Sequence, residues 1–368
     1  MKVALVHDWL DSRIGGAEEV FLEIAKLYPD ADIFTLLYKP KTYRHLLAGR
    51  KITVSYLRFF PGFVRKRLAF LLPFIPGAVR SHDLRGYDLV ISDSSAWSKN
   101  VRIPKGVTHI CYCHSPARML WDSWPKYLDQ FPIARHKIVR LYLARLVSKI
   151  RLWDFYASDG VDYFIANSHY IAGRIKKYYG RDARVIYPPV HVPNMTPEVK
   201  TDKKPYWLIL STLARYKNID VVIEAFKISG RDLVIAGDGS ARAYLKEKAE
   251  AAHNISLVGR VEESRKWELL AGAEALMFAN IEDFGITPVE AHAVATPVIA
   301  LRGGGLNETM LDGKTAILFD ELSAQAINAA IDRSTKHHFD DAVLKNNAKK
   351  YRTEIFQKEF NEFIHDHS

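Results

Sequence analysis

Short runs of aliphatic and β-branched residues alternate along almost the whole chain with stretches whose apolar positions recur every three to four residues. The first pattern reads as strands buried on both faces, the second as amphipathic helices. In the first half, strands are expected at Val3–His7, Ile33–Leu37, Leu89–Ser92, Thr108–Cys113 and Tyr163–Ala166. Ala17, Val20, Phe21, Ile24, Ala25 and Leu27 mark a helix over Gly16–Tyr28. Pro188, Pro189, Pro193, Pro197 and Pro205 then stand among polar residues, the composition of a linker. A second alternation supplies strands at Trp207–Ser211, Leu233–Ala236, Ile255–Val258, Ala275–Ala279, Val298–Leu301 and Ala316–Phe319. A final apolar period, Ile355, Phe356, Phe360 and Phe363, predicts a helix from about Arg352 to Ile364. The expected organisation is a first domain over 1–190, a linker over 191–205 and a second domain over 206–351. The last segment, 352–368, is placed to return to the first domain. Repeated βα units build parallel sheets through right-handed crossovers, and ligands collect where the strands' C-terminal ends meet a reversal of strand order.

Composition narrows this picture. At 368 residues the chain is too long for one ordinary core, and its 48% hydrophobic and 26% charged content suits a soluble globular protein. No apolar stretch approaches the roughly 18 residues of a spanning helix. The opening MKVALVHDWL turns acidic too soon for a secretory signal and reads as a buried strand. Cys111 and Cys113, the two cysteines, would share one face of a strand with side chains side by side, a poor disulfide geometry. His109 and His114 lie near them, but without a second cysteine pair no metal site is expected, and a reducing, cytoplasmic setting follows. Charge is uneven. Residues 1–180 hold 28 basic and 15 acidic side chains, the remainder 24 and 27. A basic first half points to an anionic partner, with nucleic acid and a lipid surface both open, beside the plainer reading of a solvated basic face.

The sharpest local pattern is Glu282-Asp283-Phe284-Gly285-Ile286-Thr287-Pro288-Val289-Glu290, directly after a predicted strand. Thr287 can cap a helix, with Pro288 first and Glu290 third, which makes a capping box one reading of Glu290. Glu282 has no capping task. Carboxylates accept hydrogen bonds from sugar hydroxyls and ribose diols, so the pair can grip both ends of a nucleotide-sugar. Gly303-Gly304-Gly305 before Leu306, and Gly15-Gly16 after the first strand, are either ordinary turns or places where backbone N–H groups meet an anion. The segment from Leu57 to Arg80 interleaves Arg58, Arg65, Lys66, Arg67 and Arg80 with aromatic and aliphatic groups. Residues 133–153 add Arg135, Lys137, Arg140, Arg145, Lys149 and Arg151. Both segments suit a headgroup region, or alternatively a core with snorkelling cations.

EDFGITPVE resembles the signature of two glutamates seven residues apart in the retaining glycosyltransferases of family 4, which have the GT-B fold. GGAEEV, YCHSPARMLWD, IANS, IYPPV, LARYKNIDVVIEAF, VIAGDG, LVGRV and TPVIALRGGGLNETMLDGKTAILF follow the family's order and span nearly the whole chain. The resemblance implies an α/β fold of two Rossmann-like β/α/β domains facing across a deep cleft. It implies that Glu282 sits by the transferred sugar, that Glu290 binds the ribose, and that Lys217 meets the diphosphate. Arg260 and Val261 would line the base pocket. Phe284, Gly285, Ile286, Gly304, Gly305 and Leu306, with Gly15 and Gly16, would surround the donor. His114 corresponds to a histidine near the sugar's outer hydroxyls, and Asp11 is placed to touch the acceptor. The family's usual arginine before the lysine is missing, its positions taken by Ser211 and Thr212, and Arg215 is the nearest replacement.

The implied reaction is hexose transfer with retention, without metal or other cofactor, most similar to the mannosyltransferases of O-antigen and exopolysaccharide assembly. GDP-mannose is the leading donor, and a lipid-linked or saccharide acceptor the expected partner. Catalytic duties fall to Glu282, His114, Lys217 and Arg215, and membrane attachment to Arg58, Arg65, Lys66 and Arg67. The setting is peripheral, on the inner face of the cytoplasmic membrane, and the oligomeric state is left open. A nucleotide-sugar epimerase of related fold and a basic nucleic-acid-binding protein are the rival readings. The second lacks a recognisable nucleic-acid module, and a nicotinamide dehydrogenase is disfavoured because no GxGxxG follows the first strand.

Overall fold

A computed structural model describes residues 1–11, 14–65, 68–122, 136–193 and 204–368. Lys66, Arg67, Arg135 and most of the expected linker, including Pro197, lie outside the described residues. The chain divides into two compact units, Met1–Pro189 with Phe356–Ser368, and Val190–Ile355.

In the first unit seven parallel strands stand in the order β3-β2-β1-β4-β5-β6-β7. They are β1 (Val3–Leu10), β2 (Asp32–Tyr38), β3 (Ile52–Val54), β4 (Leu89–Ser94), β5 (Thr108–Cys113), β6 (Tyr163–Ala166) and β7 (Ala183–Val185). The central strands are buried nearly end to end, as an uninterrupted Val/Ile/Leu pattern requires when both sheet faces are covered. Leu5 pairs with Ile33 on one side and Ile91 on the other, so β1 is the pivot at which strand order reverses. One sheet face packs on Val20, Phe21 and Ile24 of the helix Gly16–Leu27. The helix Thr353–His367 joins that cluster through Phe356, Phe360 and Ile364, and its Phe356 ring meets Tyr112 edge-on at 5.9 Å.

The second unit repeats the plan with six parallel strands in the order β10-β9-β8-β11-β12-β13. They are β8 (Trp207–Leu210), β9 (Leu233–Ala236), β10 (Ile255–Gly259), β11 (Ala275–Phe278), β12 (Val298–Leu301) and β13 (Ala316–Phe319). The reversal falls between β8 and β11, where Leu208 pairs with Leu276. No helix among the described residues is long and apolar enough to cross a membrane. Cys111 and Cys113 are free and buried on β5, and burial drives the Cys113 thiol well above its ordinary value.

Candidate active site

The loops leaving β8 and β11 meet where the second unit's strand order reverses. After β8 the chain makes a single turn over Arg215–Lys217, then Asn218 takes a left-handed conformation at φ 52°. The Asn218 side-chain amide donates to the Ala279 carbonyl at 2.8 Å, tying this loop to the end of β11. Lys217 Nζ reaches Glu282 Oε1 at 2.5 Å, and Asn280 Nδ2 donates to the same oxygen at 3.0 Å. Both charged side chains keep a little solvent access, 12% for Lys217 and 19% for Glu282. A cation and a carboxylate thus share one spot at the place where parallel sheets bind ligands. Arg215 turns elsewhere, its guanidinium stacked 3.2 Å from the centroid of Tyr244, whose hydroxyl donates to Asp220.

Glu290 lies on the helix Ile286–Ala293, whose N-cap, Gly285, falls two residues before the expected cap. Gly285, at φ 95°, takes the N-cap position, because a Cβ there would drive into Leu306 and an L-residue would be strained. Thr287 is therefore inside the helix and the capping-box reading of Glu290 fails. Its carboxylate is nearly buried and instead accepts from Lys266 Nζ at 2.9 Å. Burial pushes the Glu290 carboxyl above its usual value, against the pull of Lys266.

The triple glycine has a packing reason. Gly304, at φ 64°, pairs with Glu282 in an isolated parallel bridge, and the Gly305 N–H donates to the Glu282 carbonyl at 2.8 Å. A side chain on Gly304 or Gly305 would overlap the backbone of Glu282 or Asp283. These glycines hold the Glu282 loop at backbone contact, and the Gly305 N–H is committed to it. Phe284 and Leu306 are buried, Phe284 against Tyr351 at 5.2 Å, so their side chains pack the site from below. Arg260 is exposed and Val261 half-buried, just past β10.

The first unit's strand edge carries a second polar cluster. Asp8, at the end of β1, is buried and accepts four successive backbone N–H groups, from Ser95, Ala96, Trp97 and Ser98, at 2.6–2.8 Å. It fixes the loop after β4. Beside it Asp93 is clasped between two imidazoles, His7 Nδ1 at 2.8 Å and His114 Nε2 at 2.9 Å. Burial works against the charged forms. Asp93, with Glu18 and Asp8, outweighs it and raises His7, and the two histidines outweigh it and hold Asp93 below its usual value. Gly15 caps the helix Gly16–Leu27, and its N–H donates to Glu18 at 2.9 Å. Burial pushes the Asp11 carboxyl up, with Arg65 and Lys39 opposing.

Comparison with known proteins identifies the family and the fold. Residues 14–192 match the family model described as Glycosyltransferase Family 4, and residues 194–351 match that of Glycosyl transferases group 1. The chain belongs to glycosyltransferase family 4. An alpha-1,3/1,6-mannosyltransferase ALG2 of Dictyostelium discoideum is 23% identical, with 89% of this chain and 88% of the relative covered. Among solved structures, a sucrose-phosphate synthase from Thermosynechococcus elongatus superposes with a TM-score of 0.71 at 17% identity, over 100% of this chain and 99% of the other. Anabaena Alr3699/HepE in complex with UDP gives a TM-score of 0.69 at 16% identity, with both chains covered completely. The fold is GT-B, two Rossmann-like parallel-sheet domains.

In this glycosyltransferase the sequence-predicted residues fall into separate groups. Lys217 and Glu282 are in contact, and Gly304, Gly305 and Leu306 support Glu282 from behind. His114 and Asp11 belong to the first unit. Lys266, Asp93, His7 and Asp8 were not anticipated, because each acts through a partner distant in sequence. Among the described residues no group of three or more His, Cys, Asp or Glu is placed to hold a metal ion.

The basic, apolar segments divide between core and surface. Leu57, Leu71, Leu72, Ile75 and Val79 enter the core, while Phe59, Phe63, Phe70 and Phe74 face outward. Arg58 lies over the Phe59 ring at 4.6 Å and Arg65 is exposed. The helix Lys137–Ala157 buries Leu143, Val147 and Ile150 in the same core. Its outward stripe runs Ile138, Tyr142, Arg145, Lys149, Leu152 and Tyr156. Core burial with outward cations was one expectation. The exposure of these large apolar groups, 84% at Ile138 and 74% at Phe59, shows that it covers only part of the pattern.

Proposed function

We propose that the chain moves a hexose, mannose in the first instance, from GDP-mannose to a lipid-linked saccharide, with retention and without a metal. The observation that carries the reading is the Lys217–Glu282 contact at the β8/β11 reversal, with Glu290 one helical turn further on. In the reaction the bond between sugar C1 and the β-phosphate oxygen breaks, leaving positive charge on C1 and negative charge on the diphosphate. Lys217 meets the leaving diphosphate and stabilises its charge, by the logic of an oxyanion hole. Glu282 accepts from the sugar hydroxyls, and its carboxylate offsets charge at C1. The acceptor hydroxyl bonds to C1 on the face that the phosphate leaves, and its proton passes to a phosphate oxygen. Glu290 takes the ribose diol, and Arg260 and Val261 the base. Arg215, two residues before Lys217, is the second cation proposed for the diphosphate, and its guanidinium stacks on Tyr244.

Mannose is favoured by the relatives named as mannosyltransferases. A peripheral position on the cytoplasmic face of a membrane is favoured by the outward aromatic residues with their neighbouring cations, an arrangement suited to anionic headgroups. The test is incubation with labelled GDP-mannose and an extract of lipid-linked saccharides, followed by anomeric analysis of the product. The expected outcome is mannosylated lipid with the α configuration of the donor. Label entering only from UDP-hexoses would replace the donor, a β product would remove retention, and no transfer from any nucleotide-sugar would overturn the reading.

A further inference from the structure

Glu290 and Lys266 come from two helices of the second unit, Ile286–Ala293 and Glu263–Ala271. The carboxylate is almost wholly enclosed, at 6% exposure, and a lone buried carboxylate would be costly to keep ionised. Lys266 Nζ lies 2.9 Å from Glu290 Oε1 and 2.7 Å from Glu263 Oε1, with only 17% of its side chain exposed. Its stem runs beside Trp267, with Nζ 4.6 Å from the indole centroid. Trp267 in turn donates to Glu263 at 2.9 Å, so the ammonium's position is determined on several sides.

The charged groups facing Glu290 are Lys266 and Glu263 from the neighbouring helix and His191 from the segment after Val190. On the same helix, His292 bonds the Thr315 carbonyl and the uncharged Asn347, which comes from the helix Asp341–Lys349. Lys266 is thus the ammonium that holds Glu290. With Oε1 accepting from Lys266, Oε2 is the oxygen that the ribose assignment gives to the diol.

We infer that Lys266 is a positioning residue for the donor, fixing Glu290 in charge and orientation so that the nucleotide's ribose hydroxyls find a preformed acceptor. The inference rests on the reading of Glu290 as the ribose ligand given above. Lys266 touches the carboxylate and not the reacting atoms, so its loss weakens donor binding more than turnover. Without the ammonium, burial drives the Glu290 carboxyl further up, and the protonated form has one acceptor oxygen fewer. Binding by a Lys266-less protein therefore improves as pH rises through the displaced Glu290 value, where the wild type stays flatter.

The experiment is calorimetric titration of the full chain with GDP and 2′,3′-dideoxy-GDP, repeated with the uridine pair, from about pH 5.5 to about pH 8.5. Lys266→Met, which keeps the apolar stem, should lose about tenfold or more in GDP affinity, since a hydrogen bond to a charged group is removed. It should also lose most preference for the ribose diol and gain a pH slope. Lys266→Arg should recover much of the affinity. Glu290→Gln separates the two claims. If it retains wild-type preference for the diol, or if neither nucleotide binds the wild type, the ribose assignment is wrong and the inference goes with it. If Glu290→Gln loses the preference while Lys266→Met keeps wild-type affinity, preference and pH profile, the Lys266 inference alone is overturned. Should Lys266→Met fail to fold, Lys266→Gln against Lys266→Arg makes the same comparison between a neutral polar and a cationic side chain.

Discussion

At the scale of single residues, the candidate site consists of charges held at set places by close partners. Lys217 Nζ lies 2.5 Å from Glu282, and under the proposed function a donor diphosphate would find its cation in position. Lys217→Ala should lower kcat by a factor of about 10² to 10³, the usual loss for one donor to a developing anion. Steady-state rates with GDP-mannose measure it, and a variant within threefold of wild type would take Lys217 out of the site. Asp93 gives a prediction with a pH signature. Replacing it with Asn leaves His7 and His114 without the carboxylate both rely on, at about 3–5 kcal/mol for breaking a buried charged contact. The share owed to His7, whose value is raised, is whole below the ordinary 6.5 and is lost as pH climbs through the folded value. The share owed to Asp93, whose value is lowered, is whole above 3.8 and is lost as pH falls through its folded value. The difference in Tm between wild type and Asp93→Asn should therefore be widest between those limits and shrink on both sides. A difference flat from acid to alkaline pH would contradict this. Glu282, Glu290 and Lys217 were legible because a short motif carries them. Lys266 and Asp93 were not, since their partners stand 24 and 86 residues away and only the folded sheet edges bring them together.

At the scale of elements, apolar runs proved readable wherever both faces of a strand are buried. Every expected strand is present, with ends displaced by at most three residues. β3 and β7 escaped notice because they are three residues long and incompletely buried, so neither run nor alternation marks them. The helix carrying Glu290 was placed two residues late because Thr-Pro looks like a start, whereas packing of Gly285 against Leu306 decides the cap. The C-terminal helix was readable from its apolar period, and its docking gives the next test. Phe360 is fully buried and lies 5.4 Å from Phe356 in the first unit's core. Phe360→Ala should cost about 3–5 kcal/mol, for lost burial and for the cavity left behind. Chemical denaturation followed by hydrogen exchange should show the loss in Met1–Pro189 and the helix itself. A loss confined to the second unit would contradict the packing described.

At the scale of the whole molecule, charge and apolar exposure fall together in the first half. Its 28 basic against 15 acidic residues, set beside 24 against 27 in the remainder, bias one unit toward an anionic surface. Phe59, Phe63, Ile138 and Leu152 supply the apolar side chains that such a surface would bury. Neither feature suffices alone. Cations near a charged headgroup contribute about 1 kcal/mol each and are screened by salt, while scattered exposed aromatics are common on soluble proteins. Reversing Arg58, Arg65, Arg145 and Lys149 to Glu should therefore weaken binding to vesicles containing anionic lipid by about a hundredfold or more. Transfer to a water-soluble saccharide analogue should be spared, because none of the four belongs to the Lys217–Glu282 cluster. Replacing Phe59, Phe63 and Ile138 with Ser should weaken the same binding in a way that added salt does not mimic, which separates apolar insertion from simple attraction. A charge-reversed protein that still sediments with anionic vesicles would end the membrane reading. One that instead loses a steeply salt-dependent affinity for a polynucleotide would assign the basic face to nucleic acid.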